Sequence, residues 1–238
     1  MNRIKILQVV GALRTGGLET VAMNFFRCAD REKYEFHFLS YQEEKGEYED
    51  EIIKLGGKII KIPAPKKGMK SFVKNVKKVM KENGPYQIVH SHTFYNSGII
   101  LWIAAKMKIP VRIAHIHNNH SVYKIKMYKK VYNFIMKIML NKYSTKKCAC
   151  SFEAGSSTYG KRLFEKKGII IKNCIDVMKY AFNQEKRERI RKEFDIEEGD
   201  IVIGNVGRLA EAKNQQFLIE IVSKIEEKNI KLMIVGDG

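Results

Sequence analysis

The 238-residue sequence predicts a doubly wound α/β fold built on parallel sheet, and three observations carry that expectation. Short β-rich runs alternate with longer stretches of helical period, the alternation restarts after an irregular segment near Asn173, and each series opens on a strand that delivers a glycine to the turn before a helix. Taken in order, residues 4–10 form the first strand. Their basic start and apolar run resemble a secretion signal, but Gln8 interrupts the run and RTGGLE follows without a small-residue cleavage site. A helix is expected over 18–28, strands over 34–40, 58–62, 88–91, 111–116, 147–150 and 168–171, and helices over 69–82, 97–107 and 123–141. Each of these helices has apolar residues three and four apart. The irregular KNCIDVMKYAFN then leads to a charged helix over 185–194, a strand over 201–206, a helix over 215–227 and the closing KLMIVGDG. The expected organisation is a domain over 1–172, a linker with the charged helix over 173–199, and the start of a second domain over 200–238. Two strands and two helices are too few for a complete doubly wound domain, so the sequence reads as cut off at Gly238.

Charge and cysteines narrow the classes. Lys and Arg number 44 against 26 Asp and Glu, a formal charge of +18, so a polyanionic neighbour is expected: nucleic acid, an anionic bilayer or a phosphorylated ligand. The excess is regional, because no acid occurs between Glu82 and Glu153. No helix-turn-helix, zinc-finger or RNA-binding signature accompanies it, which sets nucleic acid aside. Cys28, Cys148, Cys150 and Cys174 lack paired CxxC spacing, as expected of reduced cytosolic thiols. No apolar run is long enough to span a bilayer, so any membrane contact is expected to be peripheral.

Several residues carry candidate chemistry. Gly16 and Gly17 stand between a strand and a helix, where backbone amides and the helix dipole can hold an anion; plain turn chemistry explains the pair equally well. Glu19 reads as a first-turn acid favoured by the dipole. His90, His92, His115, His117 and His120 follow the fourth and fifth expected strands. Residues two apart share a strand face, so the HxH pairs could bind a metal, yet no carboxylate lies nearby in sequence to complete a hydrolytic site. A ligand-facing role for one or two of them, without metal, is the expectation, since open α/β sheets bind ligands beyond the carboxyl ends of their strands.

The segment 122–147 holds eight lysines and no acid. It reads either as a core-packed helix with a solvated lysine face or as a basic amphipathic helix lying on a membrane, with Lys124, Lys126, Lys129 and Lys130 on the membrane side. In VGRLAEAKN, Arg208 offers a planar fork of donors and Lys213 a point charge, both close to a helix start. That arrangement suits a diphosphate, although a solvated loop would look the same.

Four segments in order, GGLETVAMNF, IVHSHTFYN, IPVRIAHIHNNH and VGRLAEAKNQQFLIEI, resemble retaining glycosyltransferases of family 4, the capsular and exopolysaccharide type with a GT-B fold. Between them, CSFEAGSSTYGKRLFEKKGIIIKNCID resembles that family's passage into its interdomain linker. The resemblance implies a nearly complete N-terminal Rossmann-like domain on the acceptor side and the beginning of a second, donor-side one. It further implies a hexosyltransferase (EC 2.4) that moves a sugar from a nucleotide-sugar donor to a lipid-linked or polysaccharide acceptor, in the cytoplasm or on the inner face of the cell membrane, with no metal or other cofactor.

By the same resemblance, Gly16 and Gly17 face donor phosphates and acceptor, Arg208 and Lys213 neutralise the departing diphosphate, and His117 lies near the transferred sugar as catalytic residue. His115 is the alternative, and His92 a further ligand contact. The sequence departs from the pattern at Cys174, usually glycine, and at Gln87, usually an acid. The family's two sugar- and ribose-binding glutamates would lie beyond Gly238, so little transfer activity is expected of the chain as given. Two alternatives remain open: a non-catalytic remnant that binds membrane or a partner, and a GT-B sugar-nucleotide epimerase.

Overall fold

The computed structural model describes residues 3–118 and 127–237. The chain divides into two compact units, Met1–Ile175 and Asp176–Gly238.

The first unit is a seven-stranded sheet in the order β3-β2-β1-β4-β5-β6-β7, with every neighbouring pair parallel. Its strands are β1 (Ile4–Val9), β2 (Tyr34–Ser40), β3 (Lys58–Lys61), β4 (Ile88–Ser91), β5 (Val111–Ile116), β6 (Lys146–Ala149) and β7 (Gly168–Ile170). The central strands are buried toward their carboxyl ends because helices cover both of their faces. On one face α1 (Gly17–Cys28) and α2 (Glu49–Lys54) bury Met23, Phe26 and Ile52 against Ile6, Val10, Phe36 and Phe38. The other face packs Leu7, Val9, Leu39 and Val89 under α3 (Met69–Glu82) and α4 (Ser97–Lys106). Met136 and Leu140 of α5 (Met127–Tyr143) join that cluster, as do Ala154 and Tyr159 of α6 (Phe152–Tyr159) and Phe164 of α7 (Lys161–Lys167).

Strand order reverses between β1 and β4, the point at which open α/β sheets bind ligands beyond the carboxyl ends of their strands. The histidine-bearing segments end on one side of that point and the Gly16–Gly17 turn on the other.

Strand and helix expectations hold to within a residue or two over most of this unit. Helices α2, α6 and α7 were not foreseen individually, since six to eight residues show too little period to stand out. Helix α6 does carry a readable start, because the Ser151 side chain accepts from the amide of Ala154. The helix expected over 123–141 is described from Met127 and runs on to Tyr143. His120, Lys124 and Lys126 lie outside the described residues.

Helix α5 corrects the picture of a core helix with a lysine face. Its inner side is Tyr132, Met136, Met139, Leu140 and Tyr143, whereas Met127, Tyr128, Val131, Phe134, Ile135 and Ile138 are all exposed. What faces outward is therefore an apolar stripe, with Lys129 and Lys130 exposed at its N-terminal end. The inner side lies unusually close to α4: a side-chain carbon on Gly98 would stand 2.5 Å from the Met136 carbonyl. No helix among the described residues is long and apolar enough to cross a membrane.

The second unit holds a 3-10 turn (Val177–Tyr180), α8 (Gln184–Glu193), α9 (Gln215–Val222) and a two-stranded parallel sheet of β8 (Ile201–Val206) and β9 (Ile230–Val235). The Asn183 side chain caps α8 by accepting from the Lys186 amide. Helix α9 stops five residues short of the expected 227. Ile201, Val206, Phe217, Ile219 and Ile221 stay exposed in this unit.

Candidate functional site

The C-terminal edge of the first sheet gathers the histidines. Gln8 pairs in register with His90 across β1 and β4, and His115 pairs with Cys148 across β5 and β6. Period-two alternation then puts Gln8, His90, His92, His115 and His117 on a single face, the one under α1. Phe25 of α1 closes over them, with its ring 5.9 Å from that of His90 and 6.0 Å from that of His115.

Within this group the polar atoms pair in two short chains. The Gln8 Oε1 lies 2.9 Å from His92 Nε2, and His92 Nδ1 lies 2.9 Å from His117 Nε2. His90 Nε2 lies 3.3 Å from His115 Nδ1. His117 Nδ1 and His115 Nε2 are buried without a hydrogen-bond partner among the described residues. The Asn173 side chain comes near enough to His117 to favour its charged form slightly, but outside hydrogen-bonding geometry.

Burial dominates the electrostatics. It drives the imidazole of His117 down to about 4, that of His90 to about 3 and that of His115 to about 2, and holds His92 well below the ordinary range. Mutual repulsion of neighbouring imidazolium charges adds to the effect at His90, His92 and His115. At neutral pH the whole cluster is uncharged, so its members exchange hydrogen bonds and do not act as cations.

His90, His92 and His115 bring one nitrogen each within 4.8 Å of one another, a spacing a metal ion could exploit. Both nitrogens of His92 already face partners, and the His90–His115 contact uses a nitrogen from each. Metal binding would break these contacts with no carboxylate in the cluster to compensate. Hydrogen bonding accounts for the geometry more economically.

The Gly16–Gly17 turn opens α1, and Gly16 occupies its N-cap position. The Glu19 carboxylate folds back against Gly16 and would collide with any side chain there, in the place a capping glutamate takes. The amide of Thr15 donates to Glu47, and Arg14 pairs with Glu44. Carboxylates therefore already line a turn that had been expected to receive donor phosphates. Gly17 faces open space.

In the second unit Gln215, buried at the start of α9, donates from Nε2 to the Arg208 carbonyl and so pins the turn after β8. The stem of Lys213 lies over Gly207, its Cε 3.6 Å from where a side-chain carbon of Gly207 would stand. Arg208 and Lys213 are thus brought to one turn with both side chains exposed. Asn214 takes a left-handed backbone, φ 50°, as N-cap of α9.

Comparison with known proteins gives this arrangement its context. Residues 15–177 match Glycosyltransferase Family 4, and residues 186–238 match Glycosyl transferases group 1. The chain belongs to Glycosyltransferase Family 4. EpsF of Bacillus subtilis (strain 168) is 31% identical over 238 residues, which cover 98% of this chain and 62% of EpsF. The capsular polysaccharide biosynthesis glycosyltransferase CapH of Staphylococcus aureus is 27% identical with the same coverage of both chains. The chain spans about 62% of the length of these two relatives. Among solved structures, Anabaena HepE in complex with UDP and glucose superposes with a TM-score of 0.79 at 15% identity, covering 99% of this chain and 61% of HepE. That likeness establishes the GT-B fold for this member of the family.

Sequence reasoning found His92, His115 and His117 and missed Gln8, which had been read only as a polar interruption of a strand. Its signal was a polar residue inside an apolar run destined for burial, and Gln8 is 1% exposed.

Proposed function

We propose that the protein is a retaining glycosyltransferase of capsule or exopolysaccharide synthesis, moving a sugar from a nucleotide donor to a lipid-linked or polysaccharide acceptor. The observation that carries this reading is His117: a neutral imidazole at the carboxyl end of β5, with one nitrogen held by His92 and the other unpaired. That nitrogen is buried, and in this proposal donor binding uncovers it to receive a hydrogen bond from a sugar hydroxyl without placing charge beside the sugar. The family match supports the transferase over an epimerase of the same fold.

Arg208 and Lys213 take the donor diphosphate in this proposal, because two exposed cations at one turn stabilise the negative charge that grows on a departing nucleotide. The Gly16–Gly17 turn takes hydroxyls of the sugar or acceptor in place of phosphate, since Glu19 and Glu47 would repel an anion there. No metal enters the proposal. Helix α5 supplies the membrane contact: its exposed apolar stripe suits the acyl boundary, and Lys129 and Lys130 suit anionic headgroups.

The test is titration of the 238-residue chain with UDP-, GDP- and ADP-sugars by calorimetry, beside transfer assays on polyprenyl-linked acceptors. The expected result is binding of one nucleotide class that weakens as salt rises. Absence of binding by every donor would overturn the proposal.

A further inference from the structure

We propose that Gln8 and His92 are positioning residues which hold His117 as the Nε2–H tautomer and so leave the lone pair on its Nδ1. The derivation runs outward from β1. The Gln8 amide turns its oxygen toward His92 Nε2 at 2.9 Å, and an amide oxygen can only accept. His92 Nε2 therefore carries the hydrogen. A neutral imidazole has one N–H and one lone pair, which leaves His92 Nδ1 as an acceptor. At 2.9 Å from that acceptor, His117 Nε2 must donate, and its own lone pair is left on Nδ1. That nitrogen makes no hydrogen bond among the described residues, with the Asn173 side chain close to the ring.

Every step requires the rings to be neutral, and burial keeps them so: His92 stays far below the ordinary histidine range and His117 titrates only at about 4. Gln8 and His92, each 1% exposed, have no water to offer an alternative partner, so the polarity set at β1 is transmitted whole. Had the Gln8 amide faced the other way, each hydrogen bond would reverse and His117 would present an N–H. The choice made by one amide in the middle of the sheet thus decides whether the unpaired nitrogen of His117 accepts or donates.

The ligand half of this inference rests on the proposed function; the tautomer half does not, and the experiment separates them. Long-range proton–nitrogen correlation spectra of the 15N-labelled full chain between pH 6 and 8, with His117 assigned by comparison with His117→Gln, read the protonation of each ring nitrogen. The expected spectrum shows His117 Nδ1 unprotonated and Nε2 protonated. In Gln8→Leu, which keeps the strand's size and apolar character, the Nδ1 signal should move toward the protonated position as both tautomers populate. A wild-type His117 that carries its hydrogen on Nδ1 or mixes tautomers, or a Gln8→Leu spectrum identical to wild type, would overturn the inference.

The donor titration then addresses the ligand. A loss of roughly tenfold in nucleotide-sugar affinity in Gln8→Leu supports the hydroxyl contact. Unchanged affinity with the expected spectra removes that contact and leaves the relay standing. No binding by wild type with the expected spectra removes the proposed function alone.

Discussion

His117→Ala removes the unpaired nitrogen and leaves His92 Nδ1 without its donor, so it should lower transfer by about 100-fold while leaving the fold intact. Turnover of EpsF carrying the equivalent change is the measurement. Arg208→Ala and Lys213→Ala should each weaken nucleotide-sugar binding by about tenfold, and the double variant should flatten the dependence of affinity on salt. The buried imidazoles also make a statement about stability. Their folded values lie below the ordinary 6.5, so the unfolded chain takes up protons first as pH falls, and protonation favours unfolding. Stability is complete above about pH 6.5 and declines below it, by about 1.4 kcal/mol per pH unit for each histidine already charged in the unfolded chain and still neutral in the folded one. The loss continues until the folded values near 4, 3 and 2 are reached. Among the described residues, the neutral side chains of Gln8 of β1, Phe25 of α1 and Asn173 and the backbone of Ile171 approach the cluster from outside it. His37 beside Glu35 is shifted the same way, so the share of His90 is read as the difference in slope between wild type and His90→Gln in denaturant melts from pH 7 to 5.

At the scale of elements, α4 and α5 form the contact most sensitive to size. A methyl on Gly98 meets the Met136 carbonyl, the Leu140 amide and the Met139 Cβ, none of which can give way without moving a helix. Gly98→Ala should therefore destabilise by about 1–3 kcal/mol despite the gain in helix propensity, as thermal melts would show. The other side of α5 is open to a different test. If the exposed stripe meets lipid, Phe134→Ser with Ile138→Ser should abolish co-sedimentation with vesicles of phosphatidylcholine and phosphatidylglycerol. Lys129→Gln with Lys130→Gln should reduce binding to these anionic vesicles by roughly tenfold or more and leave neutral ones unaffected, at about 1 kcal/mol per lysine near the surface. Equal binding of wild type to neutral and anionic vesicles would argue against the electrostatic part. Helix α5 also shows where sequence reading fails. Its apolar residues were visible, but a helix with apolar residues almost all round has no unique inner face until α4 selects one through Gly98.

For the whole molecule, the distinction is between a sheet that closes its core and one that leaves much of it open. The first unit buries apolar residues on both faces of its central strands, whereas the second leaves Val206 81% and Phe217 55% exposed around two. Local unfolding should consequently be easier in the second unit, and hydrogen exchange should find β8 and β9 less protected than β1 and β4. Protection of β8 equal to that of β1 would contradict this.

By itself the sequence determined the order of strands and helices, because burial on both faces writes continuous apolar runs for parallel strands and a three-to-four spacing for helices. It also marked the residues of the candidate site: histidines at strand ends, glycines at the first turn, Arg208 and Lys213 at the second. Tertiary structure decided how they interact. Registers of β1 with β4 and of β4 with β5 bring Gln8, His92 and His117, far apart in the chain, into one hydrogen-bonded line. The folding of Glu19 onto Gly16 places a negative charge where the sequence had left room for a phosphate. Spacing along a chain fixes which face a residue occupies, but pairing between strands and the loss of water around them fix which atom donates to which, and no local pattern encodes either.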